Sequence, residues 1–318
     1  MFNSWKKNEL METPGTSLYK YHFTTGLGWM NDPNGLVYHN GIYHMYFQYN
    51  PDRLDWGDIG WGHATSTDLL NWQNHGLVMA PDEHGMIISG SAISVGEVIY
   101  CYYTAAPVGN LFTQRLARSY DGGMTLVRDD SFIVETICRE NRDPKVFYHE
   151  QTAAYIMILW LEENDFAILR SPTPDGHFEM SQRFTLPGGF ECPNLFEVDG
   201  IWFVWTADGF YYPGSFDGYS FKWNGKKHSA FADKIPYAAQ VFSETKDVIL
   251  IPWLRIADSN PPVKWNGVMG IPRKLTVIKN GDDALIKLNA VFTDATDITD
   301  GNIREYTTDD GSLLHVVF

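Results

Sequence analysis

The chain has 318 residues, 44% hydrophobic and 20% charged, a composition typical of a soluble globular protein. Its net charge of −15 argues against nucleic acid and anionic membranes as partners, since both are polyanions. Three cysteines without Cys-x-x-Cys spacing exclude a disulfide framework and argue against a zinc ribbon. Residues 1–20 carry charges and no long apolar run, so we expect an N-terminal extension without a signal peptide or membrane span. The expected location is cytoplasmic, or secreted if a leader has been removed.

The first chemically distinctive stretch is Trp29-Met30-Asn31-Asp32-Pro33-Asn34-Gly35. Asn, Asp, Pro and Gly are turn residues, so the pattern predicts a tight corner that holds Asp32 in a fixed position. Taken alone, such a stretch is most often a surface turn in which the aspartate caps its own backbone. The preceding Trp29 and Met30 favour a ligand site instead, because aromatic rings commonly line such sites.

Pairs of apolar, alternating segments joined by short polar turns recur along the chain and predict hairpins. The turns at Asn40-Gly41 and Asp199-Gly200 are the clearest. Five such hairpins occupy residues 36–49, 92–103, 145–160, 195–205 and 239–253. They return at intervals of roughly 45 to 60 residues, the period of one four-stranded propeller blade. The sequence therefore predicts an all-β propeller, and a β-sandwich with irregular loops is the alternative.

Polar residues precede each predicted hairpin, where a propeller has the innermost strand of a blade. They are Asp32, then Ser89-Gly90-Ser91, Arg142-Asp143-Pro144, Glu191-Cys192-Pro193 and Tyr237. Because inner strands surround one axis, we expect these residues to meet at a single axial pocket.

Three carboxyl groups, those of Asp32, Asp143 and Glu191, would converge in that pocket. Crowded carboxylates disfavour joint ionisation, so one of them should retain a proton near neutral pH, as the general acid of a glycosidase must. Glu191 follows Phe190 and precedes Cys192-Pro193, an apolar setting that predicts a raised pKa. Asp32 lies between amide residues and is expected to stay ionised. Arg142 is predicted to pair with Asp143 and fix it as an acceptor for sugar hydroxyls.

Tryptophan and amide side chains near these acids are suited to sugar rings and hydroxyls. The aromatic content of 15% can equally be explained by packing between sheets. His63 is expected to be structural. The chain lacks His-Glu-x-x-His, P-loop and Gly-x-Ser-x-Gly motifs, so no metal and no cofactor is expected. The predicted substrate-binding residues are Asn31, Gln48, Trp56, Trp61, Ser91, Arg142 and Tyr237.

Together and in this order, the motifs closely resemble glycoside hydrolase family 32, the family of invertases, levanases and inulinases. The resemblance covers roughly residues 20–275 and rests on 29–35, 47–51, 61–63, 89–92, 142–144, 191–193 and 271–275. It implies a five-bladed β-propeller over 21–275 and retaining hydrolysis of β-fructofuranosyl bonds. Asp32 matches the family's nucleophile, Glu191 its general acid/base and Asp143 its transition-state stabiliser.

The sequence departs from the family pattern in two places. Ile235-Pro236-Tyr237-Ala238 stands where the family usually has Asp-Phe-Tyr-Ala, and Ile235 cannot hydrogen-bond the acid. Only 45 residues follow Arg273, too few for the β-sandwich that family members generally carry. We expect residues 276–318 to complete or cover the propeller, with the apolar end, Leu313–Phe318, packed on a blade or on a partner subunit.

The leading functional prediction is an exo-acting β-fructofuranosidase for sucrose and short fructo-oligosaccharides. A fructan hydrolase or a transfructosylase is the alternative within the fold. An arabinan-degrading propeller, which also uses three acids but inverts, is a less favoured alternative, and the separation of the carboxyl groups decides between the two: about 5 Å for retention and about 6.5–9.5 Å for inversion. A non-catalytic sugar-binding propeller would be expected to have lost an acid, and all three are present here. A small sugar is thus the expected partner, and the oligomeric state is left open.

Overall fold

The structure, a computed structural model, describes residues 19–109, 111–281, 283–308 and 310–318. Within these ranges the fold is all-β, apart from a 3₁₀-helix at Glu150–Thr152. In the same part of the chain, no helix has the length and apolar character needed to cross a membrane. Of the N-terminal extension predicted over residues 1–20, only Tyr19 and Lys20 lie within the described residues.

Antiparallel groups of strands follow one another in chain order. The first group is β1 (Gly28–His39), β2 (Ile42–Asn50), β3 (Gly60–Ser66) and β4 (Gln73–Met79). The second is β5 (Met86–Val95), β6 (Val98–Ala106), β7 (Thr113–Ser119) and β8 (Val127–Val134). The third is β9 (Arg142–His149), β10 (Ala154–Trp160), β11 (Asp165–Ser171) and β12 (Glu179–Thr185).

The next group contains β13 (Asn194–Val198), β14 (Ile201–Trp205), β15 (Phe210–Phe216) and β16 (Phe221–Trp223), with β17 (His228–Ser229) paired to β15. The group after it contains β18 (Pro236–Val241), β19 (Ile249–Ala257), β20 (Trp265–Met269), β21 (Arg273–Asn280) and β22 (Asp283–Ala290). β20 also pairs in parallel with β1, which joins this last group to the first. The strands therefore close into a circle.

The hairpins predicted from the sequence are present as β1–β2, β5–β6, β9–β10, β13–β14 and β18–β19. Asn40 and Gly41 both have positive φ (48° and 85°), as do Asp199 and Gly200 (52° and 79°). Two consecutive positive φ angles define the type I′ turn, whose twist matches that of the strands it connects. The Asn-Gly and Asp-Gly pairs were thus reliable signals.

Polar side chains connect the first strands of successive groups around a common axis. Asn34 accepts a hydrogen bond from the Gly90 backbone N–H (3.1 Å), and the Ser91 hydroxyl donates to the Pro144 carbonyl (2.8 Å). The Gln240 amide donates to the Gly90 carbonyl (2.9 Å) and accepts from the Leu36 N–H (3.1 Å). These first strands form the inner wall of a β-propeller, as the sequence predicted.

Most large aromatic residues fill the space between neighbouring sheets rather than the axis. Trp61 and Trp205 are fully buried, as are Tyr46, Phe166 and Phe203. The packing explanation for the high aromatic content therefore holds for the greater part of these side chains.

A separate three-stranded sheet follows the propeller: β23 (Asp297–Asp300), β24 (Ile303–Thr307) and β25 (Leu313–Val317). β21 passes through residue 275, where the sequence analysis placed a boundary, and β22 extends the same sheet to Ala290. Leu313 is fully buried among propeller residues and its N–H and C=O pair with Ala230 and Ala232. Phe318 remains 71% exposed.

Candidate active site

Asp32 lies within the innermost strand. The tight corner that the sequence predicted at this position is absent. Residues 29–35 belong to β1, and the pairing with β2 shifts register between Asn31 and Pro33. The proline has no N–H for the ladder, so its turn chemistry produces a β-bulge instead of ending the strand. Asp32 is the residue that the bulge leaves without a partner in β2.

Three side chains donate hydrogen bonds to the Asp32 carboxylate. Asn31 Nδ2 donates to Oδ1 (2.9 Å), while Gln48 Nε2 (3.1 Å) and Ser89 Oγ (2.6 Å) donate to Oδ2. Trp29 Nε1 in turn donates to Asn31 Oδ1 (2.7 Å), which fixes that amide. Burial raises the pKa of Asp32, and the hydrogen bonds from Ser89 and Asn31 oppose the rise. This network fixes the orientation of the carboxylate.

The other two acids occupy strained backbone positions. Asp143 has φ +65°, and the consecutive residues Glu191 and Cys192 have φ +47° and +42°. Left-handed conformations in non-glycine residues cost of order 1 kcal/mol or more each and persist where the surroundings enforce them. Here the Cys192 N–H donates to Asp143 Oδ2 (3.0 Å), which holds the two segments together.

Glu191 is held through both of its carboxyl oxygens. Arg142 Nη2 lies 2.5 Å from Oε1, and the Tyr237 hydroxyl donates to Oε2 (2.6 Å). The prediction of an apolar setting for Glu191 is therefore wrong. It was based on the residues next to Glu191 in the chain, whereas its polar partners are distant in sequence. The expected Arg142–Asp143 pair is the longer contact, at 3.9 Å, and Glu191 is the main partner of the guanidinium.

Cys192 stands between the remaining two acids. Its Sγ is 3.8 Å from Asp32 Oδ2 and 3.7 Å from Asp143 Oδ2. Burial raises the pKa of Asp143 to about 7; the Arg142 guanidinium opposes this rise and the Glu191 carboxylate adds to it. Burial and the adjacent carboxylates also raise the pKa of the Cys192 thiol well above its ordinary value. The Cys192 sulfur thus lies between the carboxyl groups of Asp32 and Asp143, and the Arg142 guanidinium lies beside Asp143 and Glu191.

Comparison with known proteins identifies the family. The model of the glycosyl hydrolases family 32 N-terminal domain matches residues 22–288. The chain belongs to glycoside hydrolase family 32. It is 32% identical over 301 residues to an invertase of Debaryomyces hansenii, covering 80% of this chain and 56% of the relative. It is 30% identical to a levanase of Bacillus subtilis, covering 91% and 47%. The chain therefore spans about half the length of these curated relatives.

Solved structures of family 32 members have the same fold. A fructofuranosidase from Schwanniomyces occidentalis in complex with fructose superposes with a TM-score of 0.77 at 29% identity, covering 87% of this chain and 64% of that one. An exo-inulinase from Aspergillus awamori superposes with a TM-score of 0.76 at 26% identity, covering 86% and 66%.

The predicted substrate-binding residues of this family 32 chain divide into two sets. Asn31, Gln48, Arg142 and Tyr237 contact the acids, and Trp56 is half exposed with its Nε1 3.2 Å from Gln48 Oε1. Trp61 and Ser91 are fully buried and their polar atoms bond main-chain groups of Ile88, Pro144 and Val146. These two side chains stabilise the propeller and do not reach the pocket, which corrects their predicted role. His63 is fully buried, as a structural residue would be.

Sequence reasoning missed two site residues. Ser89 bonds Asp32, yet Ser91 was chosen from the same Ser-Gly-Ser motif. The pairing of β5 shifts between Ile88 and Gly90, and this bulge changes which serine faces the axis. Cys192 lies in the Glu191-Cys192-Pro193 motif, which by itself indicates no role for the thiol. Its position between two carboxylates depends on the left-handed backbone at residues 191–192, which nothing in the local sequence signals.

Proposed function

We propose that this family 32 chain is a retaining glycoside hydrolase that releases terminal β-D-fructofuranosyl residues from sucrose and short fructo-oligosaccharides. The observation that supports this most strongly is that the acids have different hydrogen-bond partners. Asp32 is oriented by three neutral donors, whereas Glu191 is held by a guanidinium and a phenol. Two carboxyl groups in different environments are what a nucleophile and a general acid require.

In the proposed mechanism, Asp32 attacks the anomeric carbon of the fructosyl unit while Glu191 donates a proton to the departing oxygen. The covalent fructosyl-enzyme is then hydrolysed by water that Glu191 deprotonates, which restores both groups and retains the configuration. Asp143, beside the Cys192 N–H, accepts hydrogen bonds from fructose hydroxyls as positive charge develops on the ring. Asn31, Gln48 and Trp56 are proposed to bind further hydroxyls and one ring face.

The substrate assignment draws on the relatives. An invertase, a levanase and exo-inulinases match this chain at 29–32% identity, so sequence identity alone does not separate sucrose from fructans. A fructan hydrolase is therefore the second candidate, and a transfructosylase would differ only in the acceptor used in the second step.

The propeller that carries the site is proposed to have five blades. Support comes from the strand groups that begin with β1, β5, β9, β13 and β18, each led by a strand next to the axis. We place the end of the last blade at Ala290, because β22 pairs with β21 along its whole length.

Product analysis tests the proposal. The protein is incubated with sucrose, inulin and levan, and released fructose is followed by chromatography and by early-time NMR of its anomeric form. We expect fructose to appear first as the β-anomer, and Asp32→Asn to abolish release. Release of the inverted anomer, or no fructose from any of the three sugars, would overturn the proposal.

A further inference from the structure

Trp160 lies directly behind the acid site without entering it. It ends β10 and pairs in register with Arg142 of β9, and only 4% of its surface is exposed. The Arg142 Cζ atom is 4.0 Å from the centroid of the Trp160 ring. Trp160 Nε1 donates to the Glu163 carbonyl (3.2 Å) in the β10–β11 turn, which fixes the orientation of the indole plane.

The N–H edge of the same guanidinium faces the acids. Arg142 Nη2 contacts Glu191 Oε1 at 2.5 Å, and its Nε lies 3.9 Å from Asp143 Oδ2. Nη1 donates to the Glu140 carbonyl (3.0 Å). The Glu140 carboxyl group lies further from Nη1 than this carbonyl, with Oε2 3.6 Å away, and it is 54% exposed. The cation is thus stacked on an indole face and paired at its edge with carboxyl groups, so the ring is one of the groups that fix its position.

A second contact connects Trp160 to the general-acid segment. Phe190, the residue before Glu191, packs edge-to-face on Trp160 with centroids 5.2 Å apart and planes at 75°. Glu191 has a left-handed backbone that its surroundings must enforce, and this ring contact is adjacent to it.

We propose that Trp160 is a positioning residue for the fructosidase reaction, holding the Arg142 guanidinium against Glu191 and Asp143 by stacking beneath it. The inference rests on the proposed function only where it concerns turnover, because the placement of the cation is a property of the free protein. Trp160 touches no reacting atom and acts through Arg142.

The competing explanation is that Trp160 only fills the core, since it also belongs to a cluster with Ile158, Phe166 and Leu186. Loss of packing would lower stability and leave the charge balance of the site unchanged. Displacement of the guanidinium would instead leave the carboxyl groups less neutralised, so protons would bind to them at higher pH.

The experiment compares Trp160→Met and Trp160→Phe with the wild type and with Trp202→Leu. Trp202 is a partly buried indole whose ring contacts include Phe147 and Phe216 and not Arg142. Its replacement controls for the loss of an aromatic side chain. Two measurements are made on each folded variant: the pH profile of kcat/KM, and the titration of the Asp143 carboxyl carbon by ¹³C NMR.

For Trp160→Met we expect the acid limb of kcat/KM to move to higher pH by roughly one unit, with the Asp143 titration moving in the same direction. The value of kcat should fall on the order of tenfold, because the misplaced cation no longer orients Glu191. Trp160→Phe retains a smaller ring face and should shift both measures by less. Trp202→Leu should shift neither.

A double variant tests whether Trp160 acts through Arg142. It also provides a test if Trp160→Met does not fold. In the Arg142→Lys variant, whose ammonium group cannot lie flat on a ring, the added change Trp160→Phe should cause no further shift. An unshifted Asp143 titration in folded Trp160 variants, or a shift of equal size when Trp160→Phe is added to Arg142→Lys, would overturn the inference. Shifted titrations in a protein that releases no fructose would refute the proposed function and leave the inference standing.

Discussion

At the scale of single residues, composition and motif identify the reactive groups, and contacts in space decide what each one does. The three acids were found from their positions before predicted hairpins. Their partners were not, because Arg142 bonds Glu191 across 49 positions and Tyr237 reaches it across 46. Ile235 cannot bond the acid, as expected, yet Tyr237 two residues later supplies that contact.

The Tyr237 hydroxyl should matter for proton transfer. Tyr237→Phe removes the 2.6 Å hydrogen bond to Glu191 Oε2 and leaves the ring, which also lies under Arg255. We expect kcat on sucrose to fall by roughly tenfold, less than the 10²–10⁴-fold that an acid–base group itself contributes because the hydroxyl only positions that group, with a smaller change in KM. Steady-state kinetics measure this, with Tyr219→Phe at an exposed tyrosine as the control. Equal kinetics for the two variants would show that the hydroxyl has no role.

Replacement of Glu191, the proposed general acid, gives a prediction that depends on the leaving group. Glu191→Gln cannot donate a proton, so hydrolysis of sucrose should slow on the order of 10²–10⁴-fold. In an aryl fructoside with an acidic phenol, the leaving group needs little protonation. The loss in rate that Glu191→Gln causes with this substrate should therefore be much smaller than with sucrose. Kinetics over a series of leaving groups provide the measurement. A uniform loss across the series would assign Glu191 a role other than that of the acid.

At the scale of elements, the strands and their order were predictable and the irregularities within them were not. Alternating apolar residues and Asn-Gly or Asp-Gly turns define hairpins by local physics. The bulges at Asp32 and before Gly90 and the left-handed backbone at Glu191 arise only when neighbouring strands pack together. These irregular points place the acids and Ser89, so the active site is the part of the fold that local patterns describe least well.

The first strand group contains a row of imidazole rings that affects the stability of the protein at low pH. His44 of β2 stacks on His63 of β3 with planes 7° apart, and His75 of β4 follows at 5.0 Å from His63. Burial lowers the pKa of His44 to about 4 and that of His63 well below its ordinary value. A depressed histidine pKa means that the unfolded chain binds the proton first, so stability is lost as pH falls from about 6.5 towards 4.

The free energy of unfolding of the His44→Gln variant should therefore approach that of the wild type as the pH is lowered. Between pH 7 and pH 4.5 we expect the difference in free energy of unfolding to change by about 2–3 kcal/mol in favour of the variant. Urea denaturation at a series of pH values measures it, with His177→Gln at an exposed site as the control. A gap independent of pH would mean that His44 is protonated equally in both states.

At the scale of the whole molecule, a buried ionic cluster joins the three-stranded sheet to the propeller. Glu305 of β24 bonds Arg273 of β21 and His22 (2.8 Å), and His22 also bonds Asp300 of β23 (2.8 Å). The Arg273 guanidinium is among the main causes that hold the pKa of Glu305 well below its usual range, against the opposing effect of burial. These contacts hold β23 and β24 against β21 and the segment before β1. That residues 276–318 complete or cover the propeller stays a prediction from the sequence.

Removal of the last strand should test how far the propeller depends on it. Deleting Leu313–Phe318 would expose the cluster around Phe231 and free the backbone partners of Ala230 and Ala232. Leu313 alone is worth about 1.5–3 kcal/mol of buried apolar surface, so we expect a loss of a few kcal/mol in the free energy of unfolding.

The matched control deletes Val317–Phe318 only, which are 41% and 71% exposed and should cost less than about 1 kcal/mol. Chemical denaturation measures both losses, and the oligomeric mass of each variant shows whether the exposed end contacts a second subunit. If the longer deletion left the melting temperature, mass and activity unchanged, β25 would be dispensable to the propeller. Because the backbone partners of Leu313 are Ala230 and Ala232 and include none of the three acids, its contacts predict a loss of stability without a change in kcat at low temperature.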